Sequence, residues 1–407
     1  MTGRSEISMS TEKKDQYWVM ARRNRSHGLE PIREACRRAG NPQEKLKVIH
    51  VAGTNGKGST VNYLRTILCE AGYKTGTFTS PHLTAHFDRI RIDDRWIEED
   101  VFNTYLEKHI SDIEELDLGM FEIDCLIAFE WFYDQKVDYA IIETGLGGRL
   151  DNTNIISSPV LELITTIGMD HTRILGERKT QIAFEKAGII KKNSHCLYGY
   201  LDEECAMIMR MRAGRMQAAA HGIEPYRGIS AEEMVFRGSV YEISGAGYQK
   251  ANAALAIAAA QFLGIHTDTP VMKKAIRECQ WKGRFETVCA SPRVIIDGAH
   301  NEEGISALCR SLDMLEKPLT VVFSALRDKP GRKMAAALKE HAERLIITHF
   351  ENARADVTQS LAVAGAEIIE DWEKAIDSAL EKAGPGTVVI TGSLYFVSVV
   401  RSRFLNE

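Results

Sequence analysis

A lysine set among glycines and followed by hydroxyls offers the clearest chemistry in the chain: residues 53–60 read GTNGKGST. Gly53, Gly56 and Gly58 let the backbone wrap closely round a polyphosphate and aim successive N–H groups at it, while Lys57 neutralises the outer charge. Ser59 or Thr60 presents a hydroxyl to Mg²⁺. The spacing GxxGKGS has a shorter first gap than GxxxxGK[ST] and puts Gly58 between lysine and hydroxyl. An ordinary glycine turn between strand and helix is therefore the competing reading. Three further polar residues stand where apolar runs stop: Ser80 before Pro81-His82, Glu143 closing YAIIE, and His171 in GMDH. A carboxylate at the end of an apolar strand is costly to desolvate unless it meets a cation, so Glu143 reads as a Mg²⁺ ligand or as a cap on the next turn. Ser80 alone is turn chemistry, and a lone histidine is more often structural than functional. Together at the ends of three parallel strands, they suggest a metal–nucleotide site.

Such a site needs an open sheet to hold it. Residues 48–51 form a short apolar strand, and Val61, Leu64, Ile67, Leu68 and Ala71 repeat at helical spacing behind the glycine loop. Further strands are predicted over 74–80, 139–144 and 161–167, with helices over 27–40, 120–133 and 181–191. A second glycine-rich loop (Gly145, Gly147, Gly148) precedes Arg149, Leu150, Asp151 and Asn152. Arg89, Arg91 and Arg95 alternate as on a solvated strand face, and Lys186 reads as a surface charge on its helix. From 198 to 241 periodicity fades into weak strands. An alanine-rich helix then opens near Asn252, and Trp281-Lys282-Gly283-Arg284 looks like a hinge. Beyond it strands at 293–297, 319–324, 345–349 and 387–391 alternate with helices, as in a small parallel-sheet domain with no phosphate loop of its own. The expected fold is α/β: a P-loop-type parallel-sheet ATPase domain over residues 1–281 and a smaller Rossmann-like α/β domain over 282–407.

Composition narrows the class. The 407 residues are 44% hydrophobic and 26% charged, the balance of a soluble globular protein, and the formal net charge of −5 argues against a general nucleic-acid binder. Eight scattered cysteines show no CxxC pair, so neither a zinc site nor a disulfide framework is indicated. The polar N-terminal stretch and the lack of a long apolar run lead to the expectation of a cytoplasmic protein without a membrane segment.

In order along the chain, GTNGKGS, TSPHL, ETGLGGRLDNTN, MDHTRILG, EKAGIIK, WKGRFE, DGAHN and ITGSLYF resemble the folylpolyglutamate synthase and dihydrofolate synthase family of the Mur ligase superfamily. The resemblance implies a monomeric ATP-dependent amide ligase that adds L-glutamate to dihydropteroate or to a reduced folate through an acyl phosphate. It implies ATP and Mg²⁺ as cofactors, with a monovalent cation as a further candidate. Gly53, Thr54, Asn55, Gly56, Lys57, Gly58 and Ser59 would hold the ATP phosphates. Asn252, Arg284 and Asp297 would contact ATP from across a cleft, and Ser80, Glu143 and His171 would ligate magnesium. Phe121, Leu150, Asp151, Asn152 and residues 27–30 would border the pterin, with His300 and Ser393 on the glutamate side. Lys186 becomes the family's carbamylated lysine, which requires a depressed pKa. Four positions depart from the family pattern: Arg178 in LGER, Tyr248 in YQKAN, Glu302 in DGAHNE and Pro330 in DKP. Two other readings compete, a cell-wall Mur ligase and a nucleotide-dependent binding module without ligase chemistry. The GGRLD and SPHL motifs weigh against the first, and the set Glu143, His171 and Lys186 against the second.

Overall fold

The computed structural model describes residues 28–405, so His27 lies outside the described residues. An eight-stranded sheet runs in the order β4-β3-β2-β5-β1-β6-β7-β8. Its central strand β1 (Val48–Ala52) is buried throughout, as expected of a parallel strand covered on both faces. It pairs in parallel with β5 (Tyr139–Glu143) on one side and β6 (Leu161–Ile164) on the other, with Val51 opposite Glu143. β2 (Thr75–Phe78) extends the parallel set beyond β5, and β7 (His195–Tyr198) and β8 (Ala219–Gly222) extend it beyond β6. The chain thus leaves β1 toward one edge and later returns to build the other, which opens a crevice at the strands' carboxyl ends.

The helix Lys57–Glu70 follows β1 through Gly56, whose φ of 85° suits glycine. Residues from Ser59 to Leu64 on it are all buried, along with Ile67 and Leu68. Its close neighbour is the helix Gln249–Phe262, whose alanines 253, 254, 256, 258, 259 and 260 are fully buried. Small side chains let the two axes approach, and most of the phosphate-loop helix is buried, with Glu70 exposed at its end.

Several expectations need correction. The stretch around Arg89 is a short turn (His86–Arg89) followed by two antiparallel edge strands, β3 (Ile90–Ile92) and β4 (Arg95–Trp96). Only Arg95 is solvated. Arg89 is buried beside Asp124 and Ser80, and Arg91 packs over the Trp281 ring. The strands expected to reach 80 and 167 end at Phe78 and Ile164, and loops carry their polar residues onward. Lys186, on the helix Lys179–Ala187, faces inward and is buried. The aperiodic region contains a regular helix, Glu203–Met216, and a three-stranded antiparallel sheet of β9 (Arg227–Gly228), β10 (Glu233–Phe236) and β11 (Ser239–Glu242).

The third sheet, in the order β12-β13-β17-β14-β15-β16, draws its strands from residue 286 onward. β13 (Arg293–Asp297), β14 (Leu319–Phe323), β15 (Arg344–His349), β16 (Glu367–Asp371) and β17 (Thr387–Thr391) are parallel. The sheet is mixed rather than purely parallel, because β12 (Glu286–Ala290) runs antiparallel to β13 at its edge. No described helix is long and apolar enough to cross a membrane.

Candidate active site

The carboxyl ends of β1, β2, β5 and β6 and the facing edge of the second lobe enclose a cavity of ≈ 360 Å³. All the residues expected to hold phosphates, magnesium or the far side of the nucleotide line it. The loop 53–59 is braced from the segment just after β6: Thr54 N donates to Thr166 O at 2.8 Å, and Asn55 N to Thr166 Oγ1 at 3.0 Å. Two glycines there are required by close approach as well as by φ. A Cβ at Gly53 would overlap the Thr165 hydroxyl, and one at Gly56 the Asn252 side-chain amide. Lys57 Nζ donates to Gly53 O at 3.1 Å and stands 3.8 Å from Glu143 Oε1.

Glu143 is buried, and burial pushes its carboxyl up to about 7 against the opposing pull of Lys57, the Ser80 N–H and Arg284. The Ser80 N–H donates to Glu143 Oε2 at 3.2 Å, and Ser80 Oγ accepts from Arg89 Nη1 at 3.3 Å. His171 caps a short turn with φ 50°; burial and the neighbouring Lys329, His300 and Lys57 lower it to about 4 despite Asp170. Among the described residues no three carboxylate, imidazole or thiol side chains converge on one point. The hydroxyl of Ser80 and the carboxylate of Glu143 are the hard oxygens a magnesium ion takes. Lys186 Nζ donates to Gly53 O at 2.7 Å, and burial, reinforced by Lys57, lowers it to about 7.

From the second lobe, Asp297 accepts from Phe285 N at 2.8 Å, from Ala299 N at 2.9 Å and from the Tyr248 hydroxyl. The tyrosine at the position of the family's histidine therefore braces Asp297. Arg284 lies against Gly298, where there is no room for a Cβ. His300 Nδ1 donates to Gly298 O at 2.9 Å, leaving Nε2 toward Asp170 at 3.5 Å.

Of the residues assigned to the substrates, His300 lines this cavity, whereas Phe121, Leu150, Asp151, Asn152 and Ser393 do not. Phe121 lies beneath the second glycine loop, where a Cβ on Gly145 would sit 2.6 Å from its ring, and it stacks near Phe78. Asp151 is committed to its own loop, accepting from Leu146 N at 2.7 Å and from Thr153 N at 3.1 Å. Asn152 opens the turn that follows, and Leu150 is 60% exposed. Ser393 is buried and accepts from Tyr395 N at 3.2 Å, at the head of the final helix.

Sequence reasoning missed Asp170, Asn301, Glu303 and Lys329, which meet across the cleft. Each stands within a quoted motif or beside one of its departures, but nothing in one sequence says that these segments touch.

Comparison with known proteins agrees with this architecture. Residues 283–394 match the family described as Mur ligase, glutamate ligase domain. The chain is 35% identical to the Bacillus subtilis dihydrofolate synthase/folylpolyglutamate synthase, over 92% of this chain and 94% of that protein. It superposes on the Mycobacterium tuberculosis folylpolyglutamate synthase complexed with ADP with a TM-score of 0.88, at 27% identity, covering 97% of this chain and 98% of the other. Escherichia coli FolC in complex with DHPP and ADP gives the same score, identity and coverage. The chain belongs to the folylpolyglutamate synthase/dihydrofolate synthase family of ATP-dependent folate–glutamate ligases.

Proposed function

We propose that this cavity phosphorylates the carboxylate of dihydropteroate, of a reduced folate, or of both, and presents the acyl phosphate to the amino group of L-glutamate. One observation carries the reading: the phosphate-loop Lys57, the buried Glu143 and, from the other lobe, Arg284 all face a single cleft. In the first step a substrate carboxylate oxygen bonds to the γ-phosphorus and ADP leaves. In the second the amine attacks the acyl carbon, phosphate leaves and the amine's proton is lost. Lys57 and Arg284 neutralise charge at the transferring phosphoryl group, and the closed lobes keep water from the acyl phosphate.

Ser80, Glu143 and His171 would hold Mg²⁺, which when bound draws charge off the phosphates. Lys186, with an amine near neutrality, is set up to add CO₂ at Nζ with loss of a proton, giving an anion on the same side of the cleft. The lobes divide near residue 281, Phe121 and residues 150–152 border the pterin, and His300 and Ser393 serve glutamate. The protein works as a cytoplasmic monomer.

The test is ADP release with and without L-glutamate, comparing dihydropteroate with tetrahydrofolate as acceptor acid. Glutamate-dependent release with either acid supports the ligase, and the preferred acid names the substrate. Equal release without glutamate would overturn it in favour of a nucleotide-hydrolysing module.

A further inference from the structure

The loop that carries His171 is held from both lobes. On its own side Thr54 Oγ1 bridges Gly168, accepting from N at 3.0 Å and donating to O at 3.2 Å, which ties the loop to the phosphate loop. From the second lobe Lys329 Nζ donates to Asp170 Oδ1 at 2.5 Å and Asn301 Nδ2 to Asp170 Oδ2 at 3.0 Å. Glu303 Oε1 accepts from Met169 N at 2.8 Å, and Gly168 leaves the space for its carboxyl group. Asn301 also exchanges two amide hydrogen bonds with Asn55 on the phosphate loop, at 2.9 and 3.1 Å.

Asp170 looks inward as well. Its Oδ1 accepts from His171 N at 2.8 Å, and His171 has a φ of 50°, a conformation that a residue with a side chain holds only with local support. The Lys329 and Asp170 side chains are 5% and 8% exposed, and each lies on a different lobe. Their desolvation exists only while the lobes are together, and a charge buried there without its partner is strongly unfavourable. With the lobes apart both groups are hydrated, the Met169 N–H loses the Glu303 carboxylate, and the Asp170 carboxylate that receives the His171 N–H loses Lys329 and Asn301.

We propose that Asp170 and Lys329 form a clasp coupling closure of the second lobe to the placement of His171 and, through Asn301, of Asn55. Both are positioning residues, and the role rests on the ligase reading above. The clasp makes the loop next to the triphosphate competent only when the second lobe has arrived. ATP bound to an open molecule is thereby spared from hydrolysis.

The experiment uses the full chain carrying Lys329→Met, Asp170→Asn, both together, and Lys329→Arg. Steady-state kinetics and thermal unfolding are measured for each, with the radius of gyration in saturating ADP by small-angle X-ray scattering. Each single loss should lower kcat about 10²-fold, the cost of roughly an ångström of misplacement, with KM for ATP nearly unchanged. The double variant should be no slower than the slower single. The charge-losing variants should stay more expanded than wild type in ADP, and Lys329→Arg should recover part of kcat. Additive losses in the double variant, an unchanged kcat, or compaction equal to wild type would each overturn the clasp. If the wild type releases no ADP in response to glutamate, the ligase reading fails, and the scattering comparison still decides the clasp.

Discussion

Replacing Lys186 with methionine should stabilise the folded chain while removing its activity, and the size of the first effect follows from the amine's surroundings. Burial, with Lys57 nearby, lowers the ammonium from its ordinary 10.5 to about 7. At 1.36 kcal/mol per pH unit, the charged form is disfavoured in the folded state by roughly 5 kcal/mol. Below about pH 7 the amine is protonated in both folded and unfolded chains, and the whole penalty is present. Between about 7 and 10.5 the unfolded chain holds a proton that the folded chain lacks, so wild-type stability recovers as the pH rises. Gly53 O keeps a donor in the variant, because Lys57 Nζ also reaches it at 3.1 Å. Urea unfolding in CO₂-free buffer should therefore find Lys186→Met more stable than wild type by several kcal/mol at pH 6. The gap should close toward pH 10. A difference that does not change with pH, or a variant less stable at pH 6, would refute the placement of the amine. The same burial leaves about half the amine neutral at pH 7, against about three parts in 10⁴ for an ordinary lysine. With ¹³C-bicarbonate the wild type should show a carbamate signal that the variant lacks, and a variant with full turnover would refute the catalytic role.

Arg284→Ala should lower kcat about 10²–10³-fold, as loss of a preorganised charge does, while the melting temperature moves by only a few degrees. Unchanged kcat with a large fall in melting temperature would make Arg284 a structural residue. Gly56→Ala places a Cβ on the Asn252 amide at a φ of 85°. It should raise KM for ATP and cost about 1–3 kcal/mol in urea unfolding, and wild-type values of both would show that the loop has room. Chelation with EDTA should abolish glutamate-dependent ADP release and added Mg²⁺ restore it; release that survives chelation would remove Ser80, Glu143 and His171 from their proposed duty.

The parts legible in the sequence were those where an apolar run ends in a polar turn. Residues 48–60 and 139–143 announce themselves in that way, and so does the strand–helix alternation after residue 290. What stayed hidden depends on partners distant in the chain. Lys186 looks solvated on its own helix, but the second glycine loop lies close against that helix at Gly148 and the amine reaches Gly53 O on the phosphate loop at 2.7 Å. Arg89 reads as one of a row of surface charges until Asp124, from another helix, arrives beside it. The helix Glu203–Met216 escaped notice because arginines and methionines are spread round it, with Met207 and Met211 left exposed. β12 is only half buried, so it lacks the apolar run that revealed its neighbours.

The phosphate-loop helix, walled in by the central sheet and the alanine-rich helix, behaves as a fixed anvil. It cannot slide or tilt to suit a different nucleotide without disturbing the largest packed region of the first lobe. Adaptation to another base or sugar must therefore come from the facing lobe. Variants selected for altered nucleotide preference should accumulate along the helix Glu302–Leu312, where Gly304, Ala307 and Arg310 face the cavity, and should leave residues 53–60 untouched.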